Sequence, residues 1–196
     1  LLAAIRQDDR IFSVESKMIQ YQDHGRLDSA GTYYNALGWA FARGKDKPAV
    51  RYQKKADTFA ACGGASIYRK KAFADIGCFD EEHFAYLEDV DIGYRAQIFG
   101  WRNVYEPKAR IIHVGSAASG SRYNEFKVRL SARNNLYMIY KNMPTVQIFF
   151  NLPFLAAGFL VKYLFFLKKG MGNLYMKGLR DAIPMMKKKK KIAYQK

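Results

Sequence analysis

Cysteine is nearly absent from the 196-residue chain: Cys62 and Cys78 are the two it contains. A pair with no metal-type spacing excludes a disulfide framework and a thiolate zinc site, so a reducing compartment is implied and both cysteines are expected as small core residues. Acidic residues are scarce too, 17 against 33 Lys and Arg, for a net charge of +16. No internal repeat and no recognisable RNA- or DNA-binding motif is present, which leaves the charge without a nucleic-acid partner to explain it. The opening Leu1–Arg6 reads as the middle of an amphipathic helix rather than a capped start, so a fragment is the working expectation.

What is present is enough apolar material for a core: 49% hydrophobic residues, 15% aromatic. The charge is concentrated at one end. From Thr145 onward eleven basic residues stand against Asp181 alone, beside an apolar run over Val146–Leu167. That combination suits an anionic membrane surface. The run is long enough for a bilayer core, but Lys162 and Pro153 interrupt it, and Gln147, Asn151, Lys162 and Lys169 fall on one stripe. Kinked helices lying in the membrane interface are expected over a span.

Up to Pro144 the pattern is mixed α and β. Ile11–Ile19 alternates as a strand. Gly31 and Gly38 punctuate a hairpin-like stretch. Thr58–Tyr68 reads as a second strand, followed by a helix over Lys70–Asp75. Helical spacing from Leu87 to Phe99 ends at Gly100, and two short strands are expected around Trp101–Tyr105 and Arg110–Val114. A Ser/Gly loop over 115–121 leads to a long helix from about Asn124 to Asn142, closed by Pro144.

Glu88 and Asp89 would open the helix of the acidic run, where free N–H groups and the dipole favour carboxylates, so both are expected as anions. Asp91 and Arg95, four apart, share a helix face and are expected as a surface pair. His113 ends a strand. His24 and His83 belong to no motif and are expected in solvent.

Taken together, the stretch Gly64–Glu81 with its glycine-bearing strand, its helix starting at Arg69 and its Ile76–Glu81 end, the Phe84–Arg95 run, Gly100-Trp101, His113 and the later Arg133-Asn134-Asn135 and Lys141–Pro144 resemble glycosyltransferases of family 2, especially rhamnosyltransferase-like members. The resemblance implies a partial GT-A fold: an α/β, Rossmann-like mixed sheet flanked by helices that lacks its N-terminal nucleotide-binding strands. Residues 1–144 would be its acceptor-side half and 145–196 a membrane-associating helical tail. It implies an inverting transfer from a nucleotide-sugar donor to a lipid-linked or polysaccharide acceptor at the cytoplasmic face of a bacterial membrane. Asp89 would be the general base and Glu88 its catalytic neighbour. Gly63, Gly64, Asp91 and Arg133 would contact acceptor or donor, and His113 a divalent metal, Mg or Mn. The family's metal-binding DXD motif should precede the opening helix; Asp8-Asp9 follows that helix and does not match. A non-catalytic membrane-bound adaptor that kept the fold is the alternative reading.

Overall fold

Ile11–Gln20 forms the longest-buried strand of the protein, β1, with its first eight residues all inaccessible. The computed structural model describes residues 1–115, 123–189 and 191–192, and most of the expected Ser/Gly loop lies outside them. A short helix, α1 (Leu2–Ile5), precedes β1, and the strands β2 (Leu27–Ser29), β3 (Thr32–Tyr34), β4 (Ala40–Ala42), β5 (Ala56–Thr58) and β6 (Ser66–Tyr68) follow. Next come α2 (Phe73–Ile76), α3 (Glu88–Ile98), β7 (Arg102–His113) and three helices, α4 (Glu125–Asn142), α5 (Thr145–Lys168) and α6 (Gly172–Lys188). The fold is mixed α/β.

The chain divides into two compact units. The first contains Leu1–Tyr33, Ala40–Phe79 and the described residues of 89–117. Its five-stranded sheet runs β2-β1-β7-β5, with β6 also paired to β1. β1 and β7 are parallel, and the remaining pairs of this sheet are antiparallel. β1 is central in the sheet and covered on both faces, so even its polar positions Ser13, Glu15, Ser16 and Lys17 are buried. Each finds a partner: Ser13 donates to Asn103 Oδ1 at 2.6 Å and Lys17 to the Arg51 carbonyl at 3.0 Å. Arg69 ties α1 to β1 by donating to the carbonyls of Ile5, Asp8 and Ile11.

Two expectations change here. The segment Thr58–Tyr68 is not one strand: β5 pairs with β7, a 3-10 turn covers Gly63–Ala65, and β6 pairs with β1. The ladder breaks because the N–H groups of Cys62 and Gly63 go to carboxylates instead of to a neighbouring strand. Conversely, the two strands expected between Trp101 and Val114 are one, β7, with a register shift where Glu106 and Arg110 face Ser16 and Lys17. Pro107, which has no N–H to donate, sits in that bulge.

The second unit contains Tyr34–Trp39, Asp80–Glu88 and the described residues of 118–196. Asn124 caps α4 by accepting from the Lys127 N–H at 2.8 Å. α6 packs closely on α4, since a Cβ on Gly178 would stand 2.4 Å from the Arg129 carbonyl oxygen. Val128, Ala132 and Tyr175 form one buried cluster between these helices, and Tyr137, Ala182 and Met185 another. α5 is a single helix running through Pro153, not a kinked pair. The proline forgoes one intrahelical bond, which a 24-residue helix tolerates. The face of α5 carrying Leu155 and Gly158 is buried; Trp39 Nε1 donates to the Gly158 carbonyl and Lys162 lies over the Trp39 ring.

Candidate active site

Three short segments of the first unit converge on exposed Gly63 and Gly64. Asp89, in the first turn of α3, accepts from the Gly63 N–H at 2.9 Å and from the Val90 N–H at 2.8 Å. A Cβ on Gly63 would lie 3.6 Å from Asp89 Cβ, and one on Gly64 would lie 3.9 Å from His113 Nε2. Both are ordinary contact distances, and neither glycine has a positive φ. Packing alone therefore does not require glycine at either position; the pair keeps an open backbone surface with a carboxylate beside one residue and an imidazole beside the next.

The imidazole is oriented by its other nitrogen. His113 Nδ1 is 2.7 Å from Asp28 Oδ2, and Lys45 binds the second oxygen of Asp28. Burial opposes the charge of Asp28, yet the hydrogen bonds from Lys45 and His113 hold its carboxyl below the usual range. Among the described residues no group of three or more His, Cys, Asp or Glu side chains is set to hold a metal. His113 offers one nitrogen, so the described residues do not form a metal site by themselves.

Behind the glycines lies a carboxylate that sequence reasoning missed. Glu15, fully buried on β1, accepts from Ser29 Oγ at 2.6 Å and the Gly31 N–H at 3.3 Å on one oxygen, and from the Cys62 N–H at 2.8 Å on the other. Successive N–H groups of the Cys62-Gly63 turn thus bind two carboxylates, Glu15 and Asp89. Burial pushes Glu15 up to about 7, with the nearby Asp89 adding to the rise against the hydrogen bonds that lower it. Asp89 is also raised by burial, although the Gly63 and Val90 N–H groups oppose the shift. The helix start thus does not by itself decide the charge of Asp89, as the sequence suggested. Cys62 is pushed up to about 12 by burial and by both acids, which makes its thiol unreactive. The sequence offered no distinguishing signal: Glu15 stands among Ser13, Ser16 and Lys17, and alternates with Ser13 and Lys17 on what reads as the solvated face of β1.

Other expected site residues lie elsewhere. Glu88 is half-buried at the first position of α3. Asp91 is fully buried and paired with Arg95 at 3.0 Å; Arg95 also donates to the carbonyls of Ile76, Gly77 and Cys78. The pair is therefore internal, not on the surface. Arg133, in the second unit, donates to the carbonyls of Glu82 and His83, and Asn134 donates to those of His83, Ala85 and Tyr86. These bonds hold a segment in which Phe84, Tyr86 and Leu87 all have positive φ, a costly arrangement for non-glycine residues. His83 is buried against the Tyr137 ring rather than solvated, whereas His24 is exposed. Cys78 is exposed, not a core residue.

No protein-family model matches the chain. Fifty-eight residues, 30% of its length, are 41% identical to N-acetylglucosaminyl-diphospho-decaprenol L-rhamnosyltransferase of Mycobacterium tuberculosis H37Rv, and the same figures hold for that protein of strain CDC 1551 / Oshkosh. The match spans 19% of the length of these relatives, and it marks a glycosyltransferase-like region within the chain.

Proposed function

We propose that the chain is the acceptor-side part of an inverting, family-2 glycosyltransferase of GT-A fold, which moves a sugar from a nucleotide-sugar donor to a lipid-linked acceptor. The observation that carries this reading is the pairing of Asp89 with the open Gly63-Gly64 backbone and the oriented imidazole of His113. The partial likeness to a rhamnosyltransferase whose name specifies a diphospho-decaprenol acceptor supports the same reaction class. In it, Asp89 Oδ accepts the proton of the acceptor hydroxyl as that oxygen attacks the anomeric carbon, and the bond to the leaving diphosphate breaks. Burial suits Asp89 to this task by raising its basicity, while the two N–H groups keep the carboxylate aimed. The divalent metal of this reading would depend on carboxylates beyond the residues described above, and no step is routed through it.

Asp89→Asn in the full-length protein tests the reading. The amide keeps the size of the carboxylate and can still accept from Gly63, but it cannot take up a proton, so kcat should fall about 100- to 10,000-fold with donor affinity nearly unchanged. Single-turnover transfer within a few-fold of the parent would remove Asp89 as the base.

A further inference from the structure

Hydrogen bonding does not by itself require a charge at Glu15. Its carboxylate, fully buried on β1, accepts from Ser29 Oγ, the Gly31 N–H and the Cys62 N–H. A neutral amide oxygen could accept from the same N–H groups, and a buried negative charge is costly, so the carboxylate is unexplained by the turn it holds. Lys17, two residues along the strand, does not offset it and donates instead to the Arg51 carbonyl. What stands beside Glu15 is Asp89, bound by the next N–H of the same turn. Cys62 touches both acids: its N–H donates to Glu15 and its thiol hydrogen-bonds to Asp89. The other titratable groups facing them are Tyr105 on β7, with Arg43 over its ring, and Asp28, whose charge reaches Cys62. All of these residues belong to the first unit.

We infer that Glu15 is a positioning residue for the base: it anchors the Cys62–Gly64 turn that aims Asp89, and it sets a second negative charge beside that carboxylate. This role presupposes Asp89 as the base proposed above. Being inaccessible, Glu15 cannot meet a substrate; it acts through the turn and through its field. A carboxylate beside a like charge holds a proton more tightly, and a stronger base takes one from a hydroxyl more readily. Two acids coupled in this way titrate as a pair. With Glu15 protonated, Asp89 is the weaker base; with Glu15 ionised, above about pH 7, it is the stronger.

Single-turnover transfer by the full-length protein, followed against pH, tests this role. The 15N shifts of the Cys62 and Gly63 amides accompany it, because they report Glu15 and Asp89 without turnover. The parent rate should rise with pH in two steps, the upper near pH 7. Glu15→Gln keeps acceptors for the turn and should show one step, at lower pH. Its plateau should fall about tenfold, part of the about 100- to 10,000-fold that a general base supplies. Its Gly63 amide should also titrate at lower pH than the parent's. Ser29→Ala removes a donor that favours the charged form of Glu15, so the upper step should move to higher pH while the lower stays in place. A purely structural role would lower the rate of Glu15→Gln equally at every pH. Such a uniform fall, a profile that coincides with the parent's, or Cys62 and Gly63 amides that titrate independently would each overturn the role and leave Asp89 as the base. If the melting transition showed that Glu15→Gln does not fold, an upper step unmoved in Ser29→Ala would overturn it in the same way. Parent-like transfer by Asp89→Asn would instead overturn the base and this role together.

Discussion

Glu15 accepts hydrogen bonds through both carboxylate oxygens, and neither faces water. With its pKa pushed up to about 7 from an ordinary 4.5, the folded state binds more protons than the unfolded state between those values. Stability from this residue is therefore fully present below about pH 4.5 and declines as pH rises to about 7, by about 3 kcal/mol. The other charged or titratable groups near it are Asp89 and Cys62, with Tyr105 also within reach of its charge. Glu15→Gln keeps an oxygen for the Cys62 N–H and can turn its amide towards Ser29 Oγ, which accepts. In the full-length protein the variant should melt at nearly the same temperature as the parent at pH 5 and higher at pH 7.5. An unchanged difference between those pH values would show that Glu15 does not titrate on folding. Nothing in the sequence marks this residue beyond its placement, because a glutamate in a strand is ordinarily on the solvated face. Only the segments that close over its face, at Ser29, Gly31 and Cys62, reveal that this one is enclosed.

At the scale of elements, the patterns that depend on local chemistry were legible and those that depend on what packs alongside were not. The helix of about Asn124 to Asn142 closed by Pro144, the end of α3 before Gly100 and the strand character of β1 follow from proline, left-handed glycine and alternation, and each is found in the structure. The break between β5 and β6 was not legible, because it is created by two carboxylates distant in sequence. The same blindness affected the Asp91–Arg95 spacing, which reveals a shared helix face but not whether that face is covered. As an exposed pair it would contribute below about 1 kcal/mol. Enclosed as observed, with Arg95 also holding three carbonyls at the end of α2 and just beyond, losing one partner leaves an uncompensated internal charge. Asp91→Ala should therefore destabilise the protein by about 3–5 kcal/mol, read as a lower denaturation midpoint at unchanged slope. A loss under about 1 kcal/mol would restore the surface reading. Asp89→Asn, two residues away, should change stability far less than Asp91→Ala while affecting transfer, so the two neighbours separate stability from chemistry.

For the molecule as a whole, the question is what meets the apolar side of α5. It is the one helix among the described residues long and apolar enough to cross a membrane. Its polar stripe has a different role from the one its spacing suggested: Asn151 and Lys162 share the face of Leu155 and Gly158, which packs on the protein's own Leu37–Trp39. What remains outward is nearly all apolar, with Phe149 and Phe150 at 72% and 71% exposure. An arrangement with the protein on one face and apolar side chains on the other suits a helix lying along a bilayer, with exposed Lys168, Lys169, Lys187 and Lys188 available to anionic headgroups. Deleting everything after Pro144 would be a poor test, because α6 covers the buried face of α4 and its loss would expose Tyr137 and Val128. Phe149→Asp/Phe150→Asp is the sharper change: neither side chain supports the core, and each inserted phenylalanine contributes about 1.5–3 kcal/mol to burial in lipid. Flotation of the full-length protein with anionic vesicles should fall at least about hundredfold in partition coefficient, while melting temperature stays near the parent's. Raising salt should weaken what binding persists, since only the basic residues then hold the protein at the surface. Flotation equal to the parent's in a folded double variant would mean that the outward face of α5 is not what meets the membrane.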